Sequence, residues 1–202
     1  MTDHLLTTQF MVLRKTPYSE SSLVLAGISP DAGQLHFLVR GARKLGKKQF
    51  PLADLFEILA VQYRPGRGTL CTWHEVETVR SFRGVAVVPA RFAAACDLAK
   101  FALANVQAGL RHPRYFAALE LALSRLADPA AVNAISATAV GPALVFLDEH
   151  GLLQDYPEHE RLQRQLTWLL HTAETAGPTP QLPSADWQKL EKWVAELLRH
   201  AL

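Results

Sequence analysis

The hydrophobic pattern changes period near residue 88. Before that point the apolar positions come in short runs with the spacing of strands. FMVLRKT (10–16) is rich in strand formers and stops at Pro17, and SSLVLAGIS (21–29) runs into the turn Pro30-Asp31-Ala32-Gly33. In QLHFLVR (34–40), Leu35, Phe37 and Val39 alternate with Gln34, His36 and Arg40, with Leu38 the one apolar exception. LFEILAVQY (55–63) is apolar on both faces, as a central strand is. RPGRG (64–68) has the composition of a hairpin turn. TLCTWHEVETVRSF (69–82) then reads as one long strand or two pieces joined by a bulge. Five strands with no convincing helix between them predict a small barrel.

After Val88 the spacing becomes helical. Pro89 opens PARFAAACDLAKFALANV, where Phe92, Cys96, Ala99, Leu103 and Val106 fall on one stripe. Pro113 opens PRYFAALELALSRLA, and Asp128-Pro129 has the form of an N-cap followed by a first-turn proline. PALVFLDEH stops at Gly151, a natural C′ glycine. PEHERLQRQLTWLLHTAETA begins with acids and ends before Gly177. After the linker GPTPQLPS, Ser184 is placed to cap ADWQKLEKWVAELLRHAL, whose Trp187, Leu190, Val194, Leu197 and Ala201 mark a docked helix. The expected class is α+β, with a barrel domain over 1–84 and a helical domain over 85–202.

Composition adds little to this and removes several classes. The 202 residues are 49% hydrophobic and 20% charged, enough for a buried core. Cys71 and Cys96 stand apart without a C-x-x-C, which excludes a cysteine-rich zinc module and a disulfide framework, and points to a reducing compartment. MTDHLLTTQF lacks the long apolar core of a signal peptide. Residues 129–147 carry no charge and imitate a membrane span. Their first half is small and polar and Gly141-Pro142 interrupts them, so a buried helix pair in a bundle is the better expectation.

Charge is unevenly placed. Residues 1–84 hold eleven Lys/Arg against seven Asp/Glu, a net of +4, while residues 85–202 hold ten against twelve, a net of −2. No acid lies between Asp31 and Asp54, yet Arg40, Arg43, Lys44, Lys47 and Lys48 all fall there. Within that run GARKLGKK (41–48) comes one hydroxyl short of a phosphate-binding loop. Gly41, Gly46 and Lys47 fit G-x-x-x-x-G-K, but Lys48 stands where the Mg²⁺-holding Ser or Thr belongs. Pro51 and a strand follow where the loop needs a helix N-terminus, so the nucleotide site is discounted.

What remains is a basic loop beside a barrel strand, suited to tracking phosphates. Lys15, Arg64 and Arg67 on neighbouring strand and turn segments extend the candidate set. Phe50, His36 and Tyr18 are rings near enough in sequence to stack bases, although core packing explains Phe50 equally well.

The pieces VLR with PYSESS, then GQL with VRGARK, then GRGTL with E-x-x-x-SF, together resemble the N-terminal domain of the RecO family of bacterial DNA repair and recombination-mediator proteins. FAAACDLAKFALANV and FLDEHGLLQDYP are similar to that family's helical domain, so the likeness is strong over 8–110 and looser beyond. It implies an OB-fold barrel followed by a helical domain. It also implies binding of single- and double-stranded DNA, annealing of complementary strands, and RecA loading with RecR and the single-strand-binding protein. The implied setting is the bacterial cytoplasm, in association with the nucleoid and not with membrane. No cofactor is implied. Many members carry a four-cysteine zinc module after the DYP region, and DYPEHERLQRQL has none.

The family further implies that the helical half receives the acidic, apolar-ended tail of the single-strand-binding protein. Such a tail needs cations at the mouth of an apolar pocket, and Arg111 and Arg114 beside Pro113 are the local candidates. Of the eight histidines, His150 and His159 bracket DYPE and have the placement to share a metal, although helix-end histidines are commonly surface residues. Asp148-Glu149 reads as a pair of solvated charges at a helix end. No nucleophile elbow or metalloprotease motif is present, so no catalytic site is expected. The rival from another class is an adaptor whose barrel binds acidic protein tails.

Overall fold

A computed structural model of the chain describes residues 5–42, 53–66, 68–131, 134–153, 160–178 and 181–201. Five strands, β1 (Leu6–Pro17), β2 (Leu23–Ser29), β3 (Gly33–Val39), β4 (Glu57–Pro65) and β5 (Leu70–Ser81), close into a barrel in the order β1-β2-β3-β5-β4. All neighbours are antiparallel except β3 and β5, which pair in parallel through His36–Leu70 and Phe37–Cys71. This is the OB-fold arrangement of a five-stranded, partly open Greek-key barrel.

Phe37 holds the centre of its interior. Its ring meets Phe10 edge-on at 4.8 Å and Tyr63 at 5.5 Å, and stacks on Trp73 at 5.8 Å. Around it Val12, Leu25, Val39, Leu59 and Val61 complete the core. The alternation of Leu35, Phe37 and Val39 is that of a strand with one face on this core. TLCTWHEVETVRSF is a single strand, and its register against β4 slips by one residue at His74 and again at Val79. These irregularities let twelve residues bend around the barrel without leaving it.

A five-residue 3-10 helix, Arg83–Val87, leads to α1 (Pro89–Asn105), α2 (Pro113–Ala127), α3 (Ala134–Glu149), α4 (Glu160–Glu174) and α5 (Ser184–Ala201). Packing divides the chain into two units: Met1–Arg83 with Ala99–Pro113, and Gly84–Leu98 with Arg114–Leu202. The return of 99–113 to the barrel unit has a clear cause in hydrogen bonds. Gln34 N–H donates to Gln107 O (3.3 Å), Gly109 N–H to Ala32 O (2.9 Å) and His112 N–H to Pro30 O (3.0 Å). The Gln34 side-chain amide adds a bond to Leu103 O at 3.3 Å.

In the helical unit, Val140 and the run Ala143–Leu147 are all buried, so the C-terminal half of α3 is surrounded on every side, while Ile135 near its start is exposed. The expected helix pair over 129–147 is therefore one helix with Pro142 inside it. Gly141 beside that proline faces Ala173, where an added Cβ would sit 3.1 Å from the Ala173 Cβ; the pair lets α3 and α4 approach closely. α3 ends as anticipated at Gly151, whose N–H bonds Asp148 O (3.0 Å) while Leu152 N–H bonds Leu147 O (2.8 Å).

Three local expectations shift. On α1 the buried stripe is Ala95, Leu98, Ala99 and Ala102, continued by Val106 just past its end, with Phe92 exposed and Cys96 only half-buried, because the alanines admit closer packing than larger side chains do. α5 is started by the Pro183 carbonyl, which accepts from Asp186 and Trp187, so Ser184 lies one position inside the cap. Asp128 caps Ala130 N–H at 2.9 Å in the turn after α2, well before α3 begins.

Candidate nucleic-acid interface

A bulge in β1 decides which of its basic side chains faces outward. Phe10 and Val12 point into the barrel, and strict alternation would send Arg14 there as well. The pairing with β2 instead skips Leu13: Val12 lies opposite Gly27, and Arg14 already lies opposite Ala26. From there on the faces are exchanged. Arg14 is exposed on the outer face, in one row with Ala26 and, across β2, His36. Lys15 lies opposite Leu25, on the inward row near the end of the strand.

His36 records this arrangement. Burial, with the Arg14 charge in support, holds its imidazole below the ordinary histidine value. Arg14 did not stand out in the sequence, where it looks like one more position of an alternating strand; the bulge is the signal. Strands β1, β2 and β3 carry no carboxylate over their whole length, whereas β5 exposes Glu75 and Glu77. Anionic ligands therefore favour the β1–β3 side of the barrel over the β5 side. Arg40 follows β3 and is exposed, and Tyr18 is 62% exposed in the turn that Tyr18 N–H closes onto Ser22 O. Arginines and rings along these strands and their turns, where Glu20 and Asp31 are the acids, are able to hold phosphates and stack bases.

The other sequence candidates have different surroundings. Lys15 pairs with Asp54, Nζ to Oδ1 at 3.1 Å. Arg64 is half-buried on β4, opposite Thr72 of β5. Arg43, Lys44, Lys47, Lys48, Phe50 and Arg67 lie outside the described residues. A set of anchors at Ala53–Glu57 leads into β4. Asp54 N–H donates to the buried Glu57 carboxylate (2.9 Å), which also accepts from Ser81 Oγ (3.2 Å) and Arg83 (3.1 Å). Phe56 takes φ +59° there, with its N–H on Val12 O and its carbonyl accepting from Phe82 N–H. Glu57, in a strand whose sequence is apolar on both faces, ties the start of β4 to the end of β5.

Arg111 and Arg114 bond within different units. Arg111 is 74% exposed and reaches Asp31 at 3.3 Å in the barrel unit. Arg114, in the helical unit, bonds Glu174 at 2.7 Å and Asp148 at 2.8 Å, and those two carboxylates hold its guanidinium above its ordinary pKa. Asp148 and Glu149 are thus not merely solvated. The Glu149 carboxylate accepts the N–H groups of Arg114 and Tyr115, each at 3.0 Å, and so caps the N-terminus of α2. The Nδ1–H of His150 donates to Phe146 O at 2.7 Å, and His159 lies outside the described residues. Among the described residues no group of three or more His, Cys, Asp or Glu is placed to hold a metal, and no helix is long and apolar enough to cross a membrane.

Residues 1–82 match the family model described as the N-terminal domain of recombination protein O. Two curated relatives, each named DNA repair protein RecO and found in Synechococcus elongatus and in a second Synechococcus strain, are 34% identical over 120 residues. Each alignment spans 59% of this chain and 45% of the relative, so the matched region is about half the length of those proteins.

Proposed function

From the match of residues 1–82 to the N-terminal domain of recombination protein O and the 34% identity to two RecO proteins, we propose that the chain is a RecO-family protein that binds single- and double-stranded DNA in repair and homologous recombination, without a catalytic step of its own. The observation that carries the reading is the absence of carboxylates from strands β1–β3, with exposed Arg14 on β1 and exposed Arg40 just after β3, followed in the sequence by the basic run at 43–48. Cations on this face screen the repulsion between two phosphate backbones, so complementary strands can approach and pair. His36 and Tyr18 offer ring faces for unstacked bases. RecR and the single-strand-binding protein are the partners proposed with it, and RecA loading is the step they serve together.

The test is a salt titration of fluorescent single-stranded DNA with the wild type and with Arg43, Lys44, Lys47 and Lys48 all changed to Ala. Each lost single-strand contact removes about 0.7 from the slope of log K against log salt. Four lost contacts therefore flatten the slope by roughly 3. An unchanged slope makes the loop a solvated surface and removes the proposal.

A further inference from the structure

Among the described residues, Lys15 is a candidate DNA contact whose amine is held by a carboxylate at the barrel rim. That partner, Asp54, is the first acid after the long basic run, which has none between Asp31 and Asp54. The pair is accessible: the Lys15 side chain is 25% exposed and that of Asp54 53%. We propose that Asp54 is an internal competitor of DNA, holding Lys15 in the free protein and yielding it to a phosphate oxygen in the complex. This rests on the DNA-binding reading above.

Three observations support the exchange. A carboxylate and a phosphate present the same anionic oxygen to an ammonium group, so one can replace the other without moving Lys15 far. Asp54 does not depend on Lys15 for its position, because its Oδ1 accepts the Leu55 N–H at 2.9 Å and its own N–H is held by Glu57 at 2.9 Å. The pair can therefore open while its carboxylate stays in place. Finally, an ion pair this exposed contributes little to stability and is screened by salt, so opening it opposes binding only weakly.

Asp54→Asn removes the charge but keeps an oxygen acceptor for the Leu55 N–H. It frees Lys15 before DNA arrives. The wild-type complex already carries the Lys15–phosphate contact, so the gain is the cost of opening an exposed ion pair, at most about five-fold in affinity at low salt. The gain should vanish in the Lys15→Ala background and should not appear for Asp54→Glu. If Asp54→Asn fails to fold, Asp54→Ser keeps an acceptor and is read in the same way. A gain that persists with Lys15→Ala is general charge removal and overturns the competitor role. No gain from Asp54→Asn, alongside a loop variant that has lost DNA, overturns it while leaving DNA binding intact. A loop variant that binds DNA like the wild type removes the DNA reading, and this proposal with it.

Discussion

At Asp54 burial and bonding pull in opposite directions. Burial pushes its carboxyl up, but the Leu55 N–H, the Lys15 amine and the Arg83 charge outweigh it and hold the group below the usual carboxylate value. A folded-state pKa depressed in this way adds stability that is present above the unfolded value, about 3.9. That stability is lost as pH falls through the depressed folded value. Thermal unfolding of wild type and Asp54→Asn should therefore differ slightly near pH 6, by less than about 1 kcal/mol because the pair is exposed. The two curves should converge below pH 4; a constant difference would mean that shape, not charge, is what the substitution alters. Such roles are poorly legible residue by residue. Arg14 and Lys15 are equivalent in the sequence, and only the skipped Leu13 sends one to the outer face and the other to Asp54. Asp148 and Glu149 look solvated until the α2 N-terminus and Arg114 are brought to them by the fold.

Elements were easier to read than residues, because each rests on many positions. The five strands and the change to helical spacing follow from periods that no single residue controls. What the period does not contain is contact at a distance. The β2–β3 turn reads only as a turn, yet it is where the segment after α1 returns to bond the barrel. Gly33 sits there with φ +64°, bridged to Ala108, and an added Cβ would lie 2.0 Å from Gln107 O and 2.6 Å from Leu110 O. Gly33→Ala therefore meets both left-handed strain and immovable backbone oxygens. It should cost on the order of 2–3 kcal/mol in urea unfolding. A loss below about 0.5 kcal/mol would mean that the 107–110 segment swings away freely and is not part of the barrel unit. α3 shows the opposite error: Gly141-Pro142 has the local signal of a break, but the burial of Val140 and of the run Ala143–Leu147 around it keeps one helix running through it.

For the whole molecule, the division of charge between a basic front and an acidic rear was visible at once, whereas the use made of each charge was not. Arg111 and Arg114 stand three residues apart and carry the same charge, so the sequence offers them as one cationic mouth for an acidic tail. Their bonds separate them. Arg111 shares one exposed contact with Asp31, and Arg114 neutralises Asp148 and Glu174 beside the carboxylate that caps α2. Reversing Arg114 to Glu gathers four carboxylates in one place and should destabilise the protein by about 1–3 kcal/mol, seen as a lowered thermal midpoint. Arg111→Glu should leave the midpoint within about 0.5 kcal/mol of wild type. Titrating an acidic peptide with an apolar C-terminus against Arg111→Glu then isolates recognition from folding. A lost peptide with DNA affinity retained gives Arg111 a part in partner binding. Unchanged peptide affinity removes it, and an Arg114→Glu protein as stable as wild type would show that the Arg114 ion pairs contribute nothing to the helical unit.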